Sequence, residues 1–322
     1  MNPAFYELVS TAHSPATDPH LDVWGWELPV DFFLGGLTAG ILVLSGWMLW
    51  RGHRSPRPQA AFAPASGGLF LVGLVALTLG VLTLFLDLGH KAYFWRLYLT
   101  MKPWSPMSWG SWIVTLAYPV LVAGMLLDPP KDVLRRLPAL RSTVDWLATR
   151  AGVRPAIGFL AIVAGVGLGT YTGVLLSTLV GRPLWSNGLL PPIFLVSALS
   201  TATAFAHWAT PDAEEQVRMA RLNNLWLTIE LGLVGLLLIS LRSATGAHAE
   251  AARLLLGGPY TAVFWVGVVF LGILLPLVIH SLAVTHRIAH TRVAPILVML
   301  GGLALRFVIV SAGQLSRWPR LS

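Results

Sequence analysis

The chain has no cysteine, and that absence excludes a great deal of chemistry. Without thiols it carries no disulfide, no cysteine-ligated iron–sulfur cluster and no thiolate nucleophile. Any redox metal it works with belongs to another subunit or depends on histidine. Charge is scarce as well. Only 11% of residues are charged and 55% are hydrophobic, against about a quarter charged in an ordinary soluble domain, so a water-soluble fold is excluded. The net charge of +8 does not point to nucleic acid, because most of the excess sits in short segments between apolar runs, where Lys and Arg set membrane orientation. Met1–Leu28 has no Lys or Arg and no apolar core. No cleavable signal peptide is expected there, and the first apolar run is expected to serve as the insertion signal.

What is present is a series of eight apolar runs: Pro29–Trp50, Ala65–Leu88, Trp109–Leu127, Pro155–Val180, Leu189–Ala209, Asn223–Leu241, Pro259–Val284 and Val293–Gly313. Each suits a helix crossing ~30 Å of hydrocarbon, which takes roughly 20 residues. The fold class is therefore an all-α polytopic membrane protein with eight transmembrane helices. The longest internal loop, Asp128–Arg154, is basic and Pro-rich and reads as the break between two packed four-helix bundles. The organisation expected is an external segment 1–28, an N-terminal bundle 29–180 and a C-terminal bundle 181–322. Gly36 with Gly40, and Gly169 with Gly173, are small-xxx-small pairs that let helices approach closely. The Gly165–Gly173 run matches no nucleotide fingerprint and lies inside a span.

Loops after the odd-numbered spans hold 13 Lys and Arg, and the termini with the remaining loops hold 8. The positive-inside rule then places both termini outside the cytoplasm.

Polar residues inside apolar spans are costly to bury and mark candidate sites. One group gathers near the external face: Trp24, Trp26 and Glu27 before span 1, Asp31 just inside it, Asp87 and His90 at the end of span 2, and Tyr171 roughly 13 Å from the outer end of span 4 at the helical rise. Carboxylate, imidazole, phenol and indole together suit a flat, amphipathic ligand that exchanges protons, as a quinone does. Each also has an ordinary structural explanation: Trp24 and Trp26 as an interfacial belt, Asp31 at a helix N-terminus, Asp87 paired with Lys91, Tyr171 bonded to a neighbouring helix. A second group runs deeper: His207, Glu230, His280 and Arg306, at staggered depths in spans 5 to 8. They read either as a proton path or as a Glu230–Arg306 structural pair with two interfacial histidines. Nothing else in the sequence suggests a metal site or a catalytic group.

Five segments in order, FFLGGLTAG (Phe32–Gly40), DLGH running into FWR (Asp87–Arg96), SPMSWGSW (Ser105–Trp112), YTGVLLS (Tyr171–Ser177) and RPLWSNGLLPP (Arg182–Pro192), resemble the NrfD/PsrC family of quinone-interacting membrane subunits of oxidoreductases such as polysulfide reductase. The resemblance covers spans 1 to 5. It implies two four-helix bundles, a quinone (menaquinone or ubiquinone) near the outer face of the N-terminal bundle, and no haem or iron–sulfur cluster in this chain. It also implies an iron–sulfur partner subunit docked outside, a molybdopterin or cytochrome catalytic subunit beyond it, and residence in the bacterial cell membrane with periplasmic termini. Tyr171 is similar to the family tyrosine at the quinone headgroup, with Asp87 and the polar segment before span 1 lining the same region. For the family's pocket histidine, His20 and His90 are both candidates. The rival functions are a cytochrome b subunit, which would use His207 and His280 as axial ligands, a secondary transporter, which would show inverted repeats, and a purely structural membrane anchor.

Overall fold

Backbone N–H and C=O groups find no water inside hydrocarbon, so apolar runs of this length close their hydrogen bonds within themselves, as helices. The computed structural model describes residues 24–52, 66–150, 152–285 and 291–318. Eight of its helices are long and apolar enough to cross a membrane: α1 (Glu27–Trp50), α2 (Gly67–Asp87), α3 (Pro106–Leu127), α4 (Val153–Ser177), α5 (Leu190–Ala209), α6 (Ala213–Ser243), α7 (Val263–Val284) and α8 (Val293–Leu315). Shorter helices cover Arg96–Leu99, Lys131–Arg136, Arg141–Ala148 and Gly246–Leu256, and no strand occurs among the described residues. The protein is an all-α, multi-pass membrane protein.

The helix ends follow local chemistry. Gly52, with φ of 72°, ends α1 in the left-handed conformation that glycine adopts without strain. Pro106 opens α3, where its missing N–H costs nothing. α6 starts at Ala213, well before the expected Asn223. The Asp212 side chain accepts from the Glu214 N–H at 3.1 Å, and the acidic Glu214 and Glu215 suit the positive end of the helix. The first half of α7, Val263–Leu274, is a π-helix that passes into an α-helix at Leu275.

The Asp128–Arg154 loop joins α3 to α4, so it does not separate four spans from four. The connection between α4 and α5 joins helices that themselves pack together. Contacts run round α1, α2, α3 and α4, and round α5, α6, α7 and α8, with α1 also packed on α5 and α8. The core does not break at that junction: Leu28 and Phe32 of α1 pack in one cluster with Leu176, Phe194, Leu227 and Leu305. Gly40 makes the α1–α5 approach close enough that a Cβ there would press into the Ala198 carbonyl. Thr38 ties α1 to α2 by donating to the Gly73 carbonyl at 3.0 Å. The remaining faces expose rows of apolar side chains, such as Val75, Leu79, Leu82 and Leu86 on α2, which lipid rather than water covers.

Candidate functional site

The last turns of α2 and α4 and the first turns of α1 and α3 lie at one end of the molecule, and a cavity of about 510 Å³ opens between them. Its walls are mostly aliphatic and aromatic: Leu28 and Phe32 from α1, Leu77, Val81 and Leu84 from α2, Val114 from α3, Leu168 and Leu175 from α4. Into this apolar space project Asp31, Asp87, His90, Arg96, Tyr98 and Tyr171. Asp31 has no hydrogen-bond or ionic partner among the described residues, and its Oδ1 lies where a side chain at Gly80 would crowd it, at 3.0 Å from a Cβ. Tyr171 is half-buried against Gly110 of α3, and any Cβ at that position would overlap the phenol ring. Glycine is needed there for the tyrosine to enter the cavity.

The segment between α2 and α3 closes the cavity. Phe94 packs edge-on against Phe85 and Tyr98, with centroids at 5.3 and 6.3 Å. The Arg96 guanidinium stacks on Tyr93 at 4.6 Å and Trp95 at 5.5 Å. Ser108 accepts from the Lys102 N–H at 2.9 Å, and the Trp109 indole donates to the Pro103 carbonyl at 2.7 Å, so the approach to α3 is stitched to its own first turn. Burial raises the Tyr98 phenol above its ordinary pKa, with Tyr118 and Asp31 adding to the effect. Tyr98 therefore stays protonated, and a hydrogen-bond donor, throughout the physiological range.

A second polar cluster is fully buried among α5, α6 and α8. Ser200 donates to Glu230 Oε2 at 2.9 Å. Arg306 donates to the Ser197 hydroxyl, to Gly302 O at 2.9 Å and to Phe194 O at 3.4 Å, and Ser197 also faces the Glu230 carboxylate. Glu230 and Arg306 are thus linked through serines of α5, and the one salt bridge within 4.0 Å found among the described residues is exposed Arg135–Asp132 at 3.2 Å. Arg306 Nη2 lies 3.0 Å from where a Cβ of Gly36 would stand, one residue from the cavity-lining Gly35. At the opposite end, His207 and His280 face each other with ring centroids 5.0 Å apart, and Asn223 Nδ2 is 3.3 Å from His280 Nε2. Beside them is a cavity of about 70 Å³ lined by His207, Trp208, Gln216, Thr291 and Arg292. Rings in such close contact leave no room for a porphyrin between them.

Of the residues singled out in the sequence, Asp31, Asp87, His90 and Tyr171 share the large cavity. Trp26 does not line it and is 55% exposed, whereas Trp24 forms part of the wall. His20 lies outside the described residues. Glu230, His280, Arg306 and His207 are buried in the interior, at two separate points. Asp87 makes no ion pair with Lys91. Sequence reasoning had Arg96 only as the end of the Asp87–Arg96 motif and missed Tyr98, two residues on, and it missed Ser197 and Ser200, which look like ordinary small packing residues.

A family model described as "Polysulphide reductase, NrfD" matches residues 13–316. A polysulfide reductase chain of Wolinella succinogenes is 28% identical over 309 residues, 91% of this protein and 94% of that one. Protein NrfD of Escherichia coli is 30% identical over 313 residues, 91% and 96% of the two proteins. A tetrathionate reductase subunit of Salmonella typhimurium is 25% identical over 283 residues, 87% and 75%.

Proposed function

The chain belongs to the NrfD polysulphide reductase family, and on that footing we propose that it is the quinone-binding membrane subunit of a multisubunit oxidoreductase. The observation that carries this reading is the apolar cavity at one end of α1–α4 into which Asp31, Tyr98 and Tyr171 converge. Its volume of about 510 Å³ is in the range of small-molecule sites, roughly 300–1,000 Å³, and its apolar walls with a few polar groups suit a flat ring on an apolar tail. Menaquinone and ubiquinone both belong to that chemical class.

A bound quinone supplies reversible two-electron, two-proton chemistry, and the protein supplies the rest. The phenols of Tyr98 and Tyr171 would hold the ring by donating hydrogen bonds to it. The carboxylate of Asp31, without a hydrogen-bond or ionic partner among the described residues, would hold or accept a proton beside them. Asp87 and His90, nearer the mouth, exchange that proton with the aqueous phase. Without cysteine the chain holds no cysteine-ligated iron–sulfur cluster of its own to carry electrons onward. The electron partner is therefore an iron–sulfur subunit docked at the cavity end, with a molybdopterin or cytochrome catalytic subunit beyond it. Relatives named as parts of polysulfide and tetrathionate reductases support that assembly.

The excess of Lys and Arg in loops on the other side supports a bacterial cell-membrane orientation in which the cavity and both termini face the periplasm. The second cluster, from His207 and His280 through Glu230 to Arg306, is assigned a proton path from the cytoplasmic end toward the back wall of the cavity.

The test uses the intact complex in lipid nanodiscs, titrated with a short-tailed quinone while tryptophan fluorescence is followed, since Trp24 lies in the wall. Saturable quenching is expected, and it is expected to vanish in an assembled Gly110→Leu complex whose added side chain displaces Tyr171. Equal saturable binding in that variant overturns the assignment of this cavity.

A further inference from the structure

Trp24 forms part of the cavity wall, yet it lies outside any helix and before the first residue of α1. Its backbone is held from the far end of the sequence. The Trp24 N–H donates to Gln314 Oε1 at 3.3 Å, and Gln314 Nε2 donates to the Trp24 carbonyl at 2.9 Å. A side-chain amide thus pairs with both backbone groups of one residue, as a neighbouring strand would. Gln314 is on the last turn of α8 and is itself 8% exposed, so water competes little for its two bonds. The Trp24 indole also stacks on Trp185 at 5.2 Å. Trp185 is fully buried, donates to Ile309 O at 2.8 Å, and fills the space that a side chain at Gly313 would need.

We propose that Gln314 is a positioning residue for the cavity: its amide clamps the Trp24 backbone and fixes the indole as a wall of the site, so that the end of α8 sets how tightly the ring is held. This rests on the quinone reading given above. Gln314 touches neither the cavity nor any reacting group, and acts only through Trp24. Replacing it with methionine keeps the volume and removes both bonds. Replacing it with glutamate keeps the shape and the acceptor for the Trp24 N–H, and removes the donor to its carbonyl.

The experiment measures short-tailed quinone binding by fluorescence and steady-state turnover on the assembled complex in nanodiscs. Gln314→Met is expected to raise Kd and KM by about three- to tenfold, the size of one or two net hydrogen bonds, with kcat near that of the parent. Gln314→Glu, which sets a buried carboxylate oxygen against the Trp24 carbonyl, is expected to raise Kd and KM at least as far. A parent complex that binds no quinone overturns the quinone reading itself. A parent that binds quinone, with Gln314→Met binding it equally well, overturns only the clamp. A fall in kcat with unchanged Kd does so too, as does failure of both variants to assemble, which makes Gln314 a folding residue.

Discussion

Tyr171 sits where two requirements meet: its phenol must reach the cavity, and Gly110 must stay bare for it to do so. Tyr171→Phe keeps the ring and removes one hydroxyl. Quinone-dependent kcat/KM should fall by about tenfold, roughly the net worth of one hydrogen bond, with the complex fully assembled and its melting temperature unchanged. Kinetics identical to the parent in that variant would show that the hydroxyl has no part in binding. Gly110→Ala should act in the same direction and more strongly, because it moves the whole ring. Asp31, Asp87, His90 and Tyr171 were legible in the sequence because a polar group beside or within an apolar span needs a reason to be there. The choice between Trp24 and Trp26 was not. The two indoles are two residues apart, and what turns Trp24 toward the cavity is Gln314, at a separation of 290 residues. Ser197 and Ser200 escaped notice for a similar reason, since a serine in a helix betrays no partner until the facing helices are in place.

At the scale of the helix, all eight crossings could be read from length and apolarity alone, and their errors have local causes. α6 runs past its apolar stretch because an Asp cap and an acidic first turn sustain it in the polar region. The π-helical half of α7 has no sequence signal in a run so uniformly apolar. It lies where α7 and α8 meet through Gly272 and Gly301, so the widened turn belongs to packing that only the tertiary structure reveals. The central crossing of α1 and α5 was half-legible. Gly36 and Gly40 marked a close approach, and the partner, the small-residue stretch around Ala198 and Ala202, became clear only in the fold. Gly40→Val should cost about 1–3 kcal/mol or more, because its methyls have no space beside the Ala198 backbone. The drop should register as a lower melting temperature and reduced yield of assembled protein. Gly232→Ala, on an open face of α6, serves as the neutral control.

Over the whole molecule, the two polar regions lie at different heights, and what joins them decides what the C-terminal helices do. Reporter fusions at Ser322 and within 128–154 should give opposite compartments, with the loop in the cytoplasm, since the loops and helix ends on its side carry 13 basic residues against 8. The same compartment for both would break the alternation on which the orientation rests. In that orientation, His207 and His280 stand at the cytoplasmic end, Glu230 lies between, and Arg306 abuts α1 beside the cavity. If Glu230 were one half of a buried ion pair, removing its charge would leave Arg306 uncompensated, at a cost of about 3–5 kcal/mol. The geometry argues otherwise. Arg306 Nη1 and Nη2 donate to Ser197 and two backbone carbonyls, its Nε has no partner among the described residues, and Glu230 accepts from Ser200, so Glu230→Gln keeps the shape and the acceptor while abolishing reversible protonation. The complex carrying Glu230→Gln should therefore assemble, melt close to the parent temperature and bind quinone with unchanged affinity. Proton uptake from the cytoplasmic side, measured with a pH dye in oriented proteoliposomes during quinone turnover, should fall sharply. A stable variant with normal uptake removes Glu230 from any proton path and leaves Asp31, Asp87 and His90 to exchange protons at the periplasmic face; a variant that fails to assemble instead makes the carboxylate a structural counter-charge to Arg306.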